Sequence, residues 1–480
     1  MKVAIVYPPL QGKGSPMLTQ NRQFQWYHLG SYIYPVVPAY GATLLLQKGH
    51  RVIWEDAIAA RKPEEQFWRD LVGEQPDLVV METKTPVVKQ QWAITDRIKQ
   101  QLPDTRVALM GDHVTALPEE SLNNSQADFA LTGGHYDFAL LDLVEHLAGG
   151  KSLGPGVHYR DGGALANSGP FARKPDLDSL PFIDRNLTRA LGYGEKWRRH
   201  RRFFYTMAGR DCPWHRCRFC AWTTTYPEFT RMSVERVLDE IGYLIQNHGA
   251  REIFDDSGTF PGGEWLYDFC RGMIARGFHR KILLSCNLRF DYLQDLELPR
   301  LMKRAGWRKV KSGLESANQE TLDRICKGVT TEQVVNGCRN AARAGIDVHL
   351  TVMVGFPWET REQVQRTVDL AAMLMREGSA EMLQSTVVVP YPGTPLYAEA
   401  VENGWFTCAP TDYEKFDMRG SVLRTGDMSS EEIVAFCNQV YRSFLSPRFI
   451  ARQVARNLTD PGYILRGARA VVGHLLDFGT

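Results

Sequence analysis

Twice along this chain, short apolar runs alternate with longer amphipathic segments, and that alternation limits the fold more than any other feature. In the first series, Val3 to Tyr7, Arg51 to Trp54, Asp77 to Glu82, Arg106 to Met110 and Asp128 to Leu131 read as buried strands. Tyr40 to Lys48 and Gln90 to Gln101 read as helices between them. The second series has strand candidates at Phe203–Met207, Glu252–Phe254, Ile282–Ser285, Lys309–Ser312, Val348–Val354 and Gln384–Val389. Its helix candidates are Val234–His248, Trp265–Arg276, Leu296–Ala305, Gln319–Cys326, Thr331–Ala344 and Thr360–Glu377. Strands separated by helices of this length pair in parallel. The expected class is α/β: a Rossmann-like sheet over 1–150, then a partial (β/α)6 barrel over 196–405, because six β/α units are too few for the closed eight-fold form. Between them, 151–195 is rich in Gly, Pro and Asp and reads as a connection, with a small hairpin turning at Asp161-Gly162. Residues 406–480 read as mainly helical.

Composition removes several function classes. A net charge of +2 over 480 residues gives no global field for nucleic acid. No apolar run reaches the roughly 18 residues that suggest a bilayer-spanning helix. The run after Met1 is too short for a secretory signal and lacks a small-residue cleavage site. Of nine cysteines, six (Cys270, Cys286, Cys326, Cys338, Cys408 and Cys437) are scattered singly. An odd, scattered set is not a disulfide framework, so a reducing cytoplasm is the expected compartment.

The other three, Cys212, Cys217 and Cys220, fall within nine residues as C-x4-C-x2-C, just after the first strand of the second series. Three thiolates on one loop can hold three irons of a [4Fe–4S] cluster and leave the fourth iron open. The alternative is structural zinc, for which His215 is the local candidate for a fourth ligand. Parallel α/β sheets and barrels bind ligands beyond the carboxyl ends of their strands. In the second series those ends carry Asp255-Asp256, Asn287-Leu288-Arg289 and Glu315-Ser316. In the first they carry Pro8-Pro9, Thr83 to Pro86, Gly111-Asp112-His113-Val114-Thr115 and Gly133-Gly134. Each run alone also fits an ordinary turn, and Ser316 or Asn318 fits a helix N-cap.

The cysteine loop resembles that of radical S-adenosylmethionine (SAM) enzymes, with an aromatic just before the last cysteine. It has one residue more than the family's usual C-x3-C-x2-C. Ile253-Phe254-Asp255-Asp256 resembles the family's F-x-D-D segment. Gly313-Leu314-Glu315-Ser316-Ala317-Asn318 is similar to its G-x-E-S-x-[ND] segment. Gly355-Phe356-Pro357-Trp358-Glu359-Thr360 and Pro390 to Tyr397 are similar to segments at the same positions. Gly262-Gly263-Glu264 looks like a SAM-binding triplet but lies past the strand, a coincidence. In the first series, Tyr7-Pro8-Pro9, Pro38-Ala39-Tyr40-Gly41, Gly49-His50-Arg51-Val52 and Gly111 to Glu120 resemble the cobalamin-binding domain of many such enzymes. Leu177-Asp178-Ser179-Leu180-Pro181 resembles the segment joining the two domains. The resemblance covers residues 1 to about 400. Gly133 to Asp137 departs from it, lacking the family's acidic turn. The D-x-H-x-x-G run that supplies an axial histidine in other cobalamin proteins is absent, as is normal for this branch.

The resemblance implies three cofactors. A [4Fe–4S] cluster would be held by Cys212, Cys217 and Cys220. SAM would lie near Asp255, Asp256, Asn287, Arg289, Glu315 and Ser316. Cobalamin would lie near Pro9, Thr83, Gly111, His113, Thr115, Gly133 and Gly134. It implies methyl transfer to an unactivated carbon of a small-molecule, lipid or peptide substrate through a 5′-deoxyadenosyl radical, with electrons from a flavodoxin or ferredoxin. Rearrangement, ring closure or oxidation with the same cofactors, and a sensor without turnover, are the alternatives. Near the C-terminus, Arg442, Arg448, Arg452, Arg456, Arg466 and Arg469 stand among apolar residues. A helix packed on the barrel with a solvated basic face is the expectation, and a surface for a lipid membrane or an anionic substrate is the alternative.

Overall fold

The computed structural model describes residues 1–12, 14–17, 24–27, 31–171, 174–426, 428–458, 462–465 and 467–468. The chain divides into two compact units. One is Met1–Gly194 with Cys220–Thr230 and Tyr391–Tyr397. The other is Glu195–Phe219 with Arg231–Pro390 and Ala398–Thr480.

The first unit is built on a twisted sheet. Strands β1 (Lys2–Tyr7), β2 (Arg51–Asp56), β3 (Leu78–Thr83), β4 (Arg106–Gly111) and β5 (Phe129–Leu131) run parallel in the order β2-β1-β3-β4-β5. Val3 to Val6 and Leu78 to Met81 are fully buried, as strands covered on both faces must be. Helices α1 (Val36–Gln47), α2 (Glu64–Glu74), α3 (Val88–Gln101) and α4 (Tyr136–Leu147) connect or flank them. The strand order reverses between β1 and β3, the place where open α/β sheets form a binding crevice. Part of the stretch expected as a connection joins the sheet. β6 (Val157–Asp161) pairs antiparallel with β5, and β7 (Ala164–Asn167) pairs with β6 around the expected turn.

The second unit is a six-stranded parallel sheet in strict chain order. Its strands are β8 (Phe203–Thr206), β9 (Glu252–Asp255), β10 (Leu283–Asn287), β11 (Trp307–Glu315), β12 (Asp347–Val354) and β13 (Met382–Val387). Between them run α5 (Val234–His248), α6 (Glu264–Ala275), α7 (Glu297–Arg304), α8 (Thr331–Ala344) and α9 (Arg361–Glu377). Local chemistry sets the helix ends. The Ser233 hydroxyl accepts the Arg236 N–H, and Thr330 with Gln333 and Thr360 with Gln363 form reciprocal capping boxes. Strand β11 runs three residues past its expected end, through a register shift between Gly313 and Glu315. The helices that follow include α10 (Ser430–Tyr441) and α11 (Pro447–Arg456). Arg466 and Arg469 lie outside the described residues. Among the described residues no helix is long and apolar enough to cross a membrane.

Candidate active site

The three cysteines lie on the loop that leaves β8; none is in a disulfide, and all three are half-buried. The Cys212 thiol donates to the Thr259 hydroxyl at 3.2 Å. Burial pushes the Cys217 thiol up to about 11, with the Lys327 and Arg289 charges acting against that rise. The four residues between Cys212 and Cys217 pass through a left-handed turn: His215 has φ +48°, and Asp211 before it has φ +73°. The His215 Nδ1 is tied to the Asp211 carboxylate four residues back, and this hydrogen bond raises the histidine's pKa. That ring, the local candidate for a fourth zinc ligand, is therefore engaged within the loop itself.

A second turn, residues 325–328, locks the cysteine loop in place. The Arg218 N–H donates to the Ile325 carbonyl (3.0 Å), and the Trp214 Nε1 to the Cys326 carbonyl (2.6 Å). Gly328 has φ +65°, and a Cβ there would come within 2.0 Å of the Trp214 ring. Arg289, only 7% exposed, sits 4.7 Å from that ring and donates to the carbonyls of Lys327 (3.0 Å) and Gly328 (3.2 Å) and to Asp291 (3.0 Å). Lys327 in turn pairs with Glu315 at 2.5 Å. Burial works against the Lys327 charge, yet Glu315 and Cys217 hold its pKa above the ordinary value. Glu315 itself has φ +60° and lies at the β11 irregularity. Its carboxylate folds back over Gly313, where a Cβ would meet it at 1.8 Å. Trp214, Gly313, Lys327 and Gly328 were not among the sequence-derived candidates. Lys327 and Gly328 follow a short helix rather than a strand, and no motif marks them.

The other candidates of this unit divide by role. Asp255 is buried and accepts from the Thr206 hydroxyl (2.9 Å), the Ala208 N–H (2.8 Å) and the Ser257 N–H (3.1 Å) and hydroxyl (2.5 Å). It thus ties the ends of β8 and β9 together. Asp256 is 1% exposed, and its N–H donates to the Thr206 carbonyl (2.8 Å). Asn287 is half-buried and donates to the Ser257 carbonyl (2.8 Å). Ser316 donates to Glu359 (2.6 Å), and Asn318 Nδ2 donates to the same carboxylate (3.1 Å). Asn318 occupies the N-cap position of the helix Gln319–Arg324, but its side chain makes no cap bond, because that network claims it. Glu264 of the Gly-Gly-Glu triplet opens α6 and pairs with Arg271 on the surface.

In the first unit the remaining seven candidates gather at one edge of the sheet, beyond the carboxyl ends of β1, β3, β4 and β5. Pro9 follows β1. The Thr83 hydroxyl donates to the Met110 carbonyl (2.9 Å), and Gly111 backs onto the Thr83 carbonyl, 2.3 Å from where a Cβ would stand. His113 is 1% exposed, with Nδ1 3.2 Å from the Thr85 hydroxyl and Nε2 3.2 Å from the Glu120 carboxylate. Thr115 and Tyr136 share a hydroxyl–hydroxyl bond of 2.6 Å, and Tyr136 also donates to the Gly111 carbonyl (2.7 Å). Gly133 and Gly134 face protein aromatics: a Cβ on either would meet Phe171 or Tyr226 at about 2.5 Å. The same edge holds two buried polar pairs absent from the sequence-derived set, Lys84–Asp112 (2.5 Å) and Tyr7–Glu82 (2.6 Å).

Among the described residues no three His, Cys, Asp or Glu side chains converge in metal-holding geometry. By donor chemistry the cysteine loop suits an iron–sulfur cluster: it offers three thiols on one backbone segment, with a lysine beside Cys217 to favour its thiolate.

Comparisons with known proteins agree with this arrangement. Residues 208–371 match the radical SAM superfamily. An uncharacterised methyltransferase of Pyrococcus horikoshii is 25% identical over 481 residues, covering 99% of this chain and 98% of its own. An anaerobic magnesium-protoporphyrin IX monomethyl ester cyclase of Rubrivivax gelatinosus is 25% identical over 425 residues, covering 85% of this chain and 73% of its own. Among solved structures, the radical SAM methyltransferase TsrM of Kitasatospora setae, with cobalamin and a [4Fe–4S] cluster bound, superposes with a TM-score of 0.69 at 17% identity, over 92% of this chain and 90% of that one. The cobalamin-dependent radical SAM enzyme OxsB superposes with a TM-score of 0.61 at 16% identity, over 86% of this chain. This chain spans 56% of OxsB's length. At these identities the structural likenesses establish the fold.

Proposed function

From the premise that this chain is a radical SAM enzyme, we propose that it uses a [4Fe–4S] cluster, SAM and cobalamin to methylate an unactivated carbon. The substrate is a small molecule, lipid or peptide, the electrons come from a flavodoxin- or ferredoxin-type donor, and the compartment is the cytoplasm. One observation carries the reading: a three-cysteine loop leaves the first strand of a six-stranded parallel sheet and is clamped by the 325–328 turn through Trp214, Arg218 and Arg289. When bound, the cofactors supply reductive SAM cleavage and a transferable methyl group.

The chain's own residues would do the rest. Cys212, Cys217 and Cys220 would hold the cluster. Lys327 lowers the cost of a thiolate at Cys217. Asp255 fixes the strand ends beneath the SAM site. Asn287 and Glu315 offer polar groups to SAM, while Asp256, Arg289 and Ser316 support the loops around it. Pro9, Thr83, Gly111, His113, Thr115, Gly133 and Gly134 would form the cobalamin edge, where the reversal of strand order between β1 and β3 favours ligand binding. With its ring nitrogens close to Thr85 and Glu120, His113 would support that edge from behind.

The test is anaerobic. Reconstituted chain, SAM and dithionite are expected to give 5′-deoxyadenosine. With substrate, S-adenosylhomocysteine and a product heavier by one methyl should follow. Cys217→Ala should lose cluster iron and SAM cleavage together. A second reading, ring closure or oxidation without methyl transfer, is favoured by the cyclase-named relative, and a product without the methyl mass would select it. Absence of 5′-deoxyadenosine from a fully loaded cluster would leave a sensor and end the enzyme reading.

A further inference from the structure

Helix α11 is mounted with its polar edge inward. Arg452 Nε donates to Glu381 at 3.1 Å and its Nη2 to the Met375 carbonyl at 2.7 Å. Gln453 and Arg456 also bond to Glu381, and Arg456 reaches Asp347 at 3.2 Å. Arg199 donates to Asn457 at 3.0 Å. The sequence led us to expect the basic face in solvent, and two of its arginines are instead spent on the barrel. Solvent receives an apolar stripe: Leu445 is 52% exposed, Ile450 48%, Val454 39% and Leu458 71%. Ile450 and Val454, four residues apart, share one side of the helix, and Leu458 follows in the turn after its end. Five of the eight exposed large hydrophobic side chains of the described chain fall between Leu445 and Leu465. A concentration of this kind marks an interaction surface rather than scattered exposure.

Charge selects the occupant. From Ile433 to Thr459 the sequence contains no Asp or Glu, whereas Arg442 and Arg448 are exposed beside the stripe. A second copy docked by two-fold symmetry would bring these arginines against themselves, with no acidic partner in the segment. An apolar stripe flanked by arginines matches the interface of a bilayer that carries anionic headgroups. We propose that α11 and the turns on either side of it dock this protein on the surface of a membrane containing anionic lipid, with Leu445, Ile450, Val454 and Leu458 entering the interface. The helix lies on the bilayer and does not span it.

The full-length chain should co-sediment with phosphatidylcholine vesicles containing phosphatidylglycerol, less with phosphatidylcholine alone, and less again as salt is added. The variant Ile450→Ser/Val454→Ser/Leu458→Ser should weaken binding by more than about ten-fold, since three apolar side chains are lost. Its melting curve should match that of the wild type, because none of the three is buried. Leu458→Ser alone should weaken binding by a smaller factor, and Arg448→Gln should reduce the dependence on phosphatidylglycerol. Failure of the full chain to bind phosphatidylglycerol vesicles overturns the proposal, as does unaltered binding by the triple variant. Light scattering that finds a dimer broken by the triple variant, without vesicle binding, would assign the face to a second copy.

Discussion

A single Cβ decides how the cysteine loop is held. The Trp214 ring occupies the space that any side chain at position 328 would need, and the backbone there is left-handed at φ +65°. Gly328→Ala combines backbone strain with a clash, so it should cost roughly 2 kcal/mol or more of stability. It should also displace the indole from the Cys326 carbonyl. The expected readout is a lowered Tm together with less iron retained per chain after reconstitution. Trp214→Phe keeps the packing and loses one hydrogen bond, so its penalty should be nearer 1 kcal/mol. In the first unit, Asp56 lines a crevice with Tyr7, Tyr32 and Tyr193. Burial pushes its carboxyl from 3.8 up to about 6, against hydrogen bonds from the Ala59 N–H (2.8 Å) and the Tyr193 hydroxyl (2.7 Å). The folded chain then holds this proton more tightly than the unfolded one. Its contribution to stability is greatest below about pH 4, falls as pH rises towards 6 and is level above that. The change is on the order of 2–3 kcal/mol. Asp56→Asn cannot titrate, so the difference in unfolding free energy between wild type and variant should slope between those pH values and be flat beyond them.

At the scale of elements, α11 depends on one buried carboxylate. Glu381 gathers Arg452, Gln453 and Arg456, and burial raises its pKa while the two arginines pull it back. Glu381→Gln removes the charge and leaves the shape. Hydrogen exchange should accelerate across Pro447–Arg456 and stay unchanged in Val234–His248, whose packing does not involve Glu381. Equal exchange in wild type and variant along α11 would mean that Phe449 and the bonds to Met375, Asp347 and Arg199 hold the helix without Glu381. The same helix shows why some features were legible in the sequence and others were not. The strands were legible because a parallel strand buried on both faces must be a continuous apolar run, and Val3 to Val6 and Leu78 to Met81 are such runs. Helices capped by their own neighbours, such as Thr331–Ala344 behind Thr330, were legible to the residue. Three cysteines within nine residues announced a sulfur-rich loop. What could not be read depends on partners distant in sequence. Arg456 turns inward for Glu381, 75 residues away, and Trp214 is held by Cys326, 112 residues away. Gly133 and Gly134 stood out in the sequence as candidates for the cobalamin edge, but nothing there showed that Phe171 and Tyr226 pack against them.

For the whole molecule, the compact units do not coincide with continuous stretches of chain. The first contains Cys220–Thr230 and Tyr391–Tyr397 as well as Met1–Gly194. Within that unit Tyr226 is 1% exposed and meets the His135 ring edge-on at 5.2 Å. It lies directly over Gly134 and stacks on Trp222 at 5.3 Å. The Thr224 hydroxyl donates to the Gly393 carbonyl at 2.9 Å. A fragment cut at the apparent boundary, 1–194, therefore keeps all seven strands of its sheet and loses the aromatic lid over Gly133-Gly134-His135. Removing a buried aromatic of this size costs about 3–5 kcal/mol and uncovers His135, which is otherwise fully buried. The fragment should retain α/β circular dichroism, melt well below the full chain and bind a hydrophobic dye. In the full chain, Tyr226→Ala should reproduce the loss locally, with faster amide exchange at residues 133–139 and little change in β1 or β3. If the 1–194 fragment protects those amides as well as the intact chain does, the downstream segments add nothing to the first unit and the cut is a true boundary. If it does not, the cobalamin edge proposed above is completed only by residues that follow the cysteine loop, and reconstitution must begin from the whole chain.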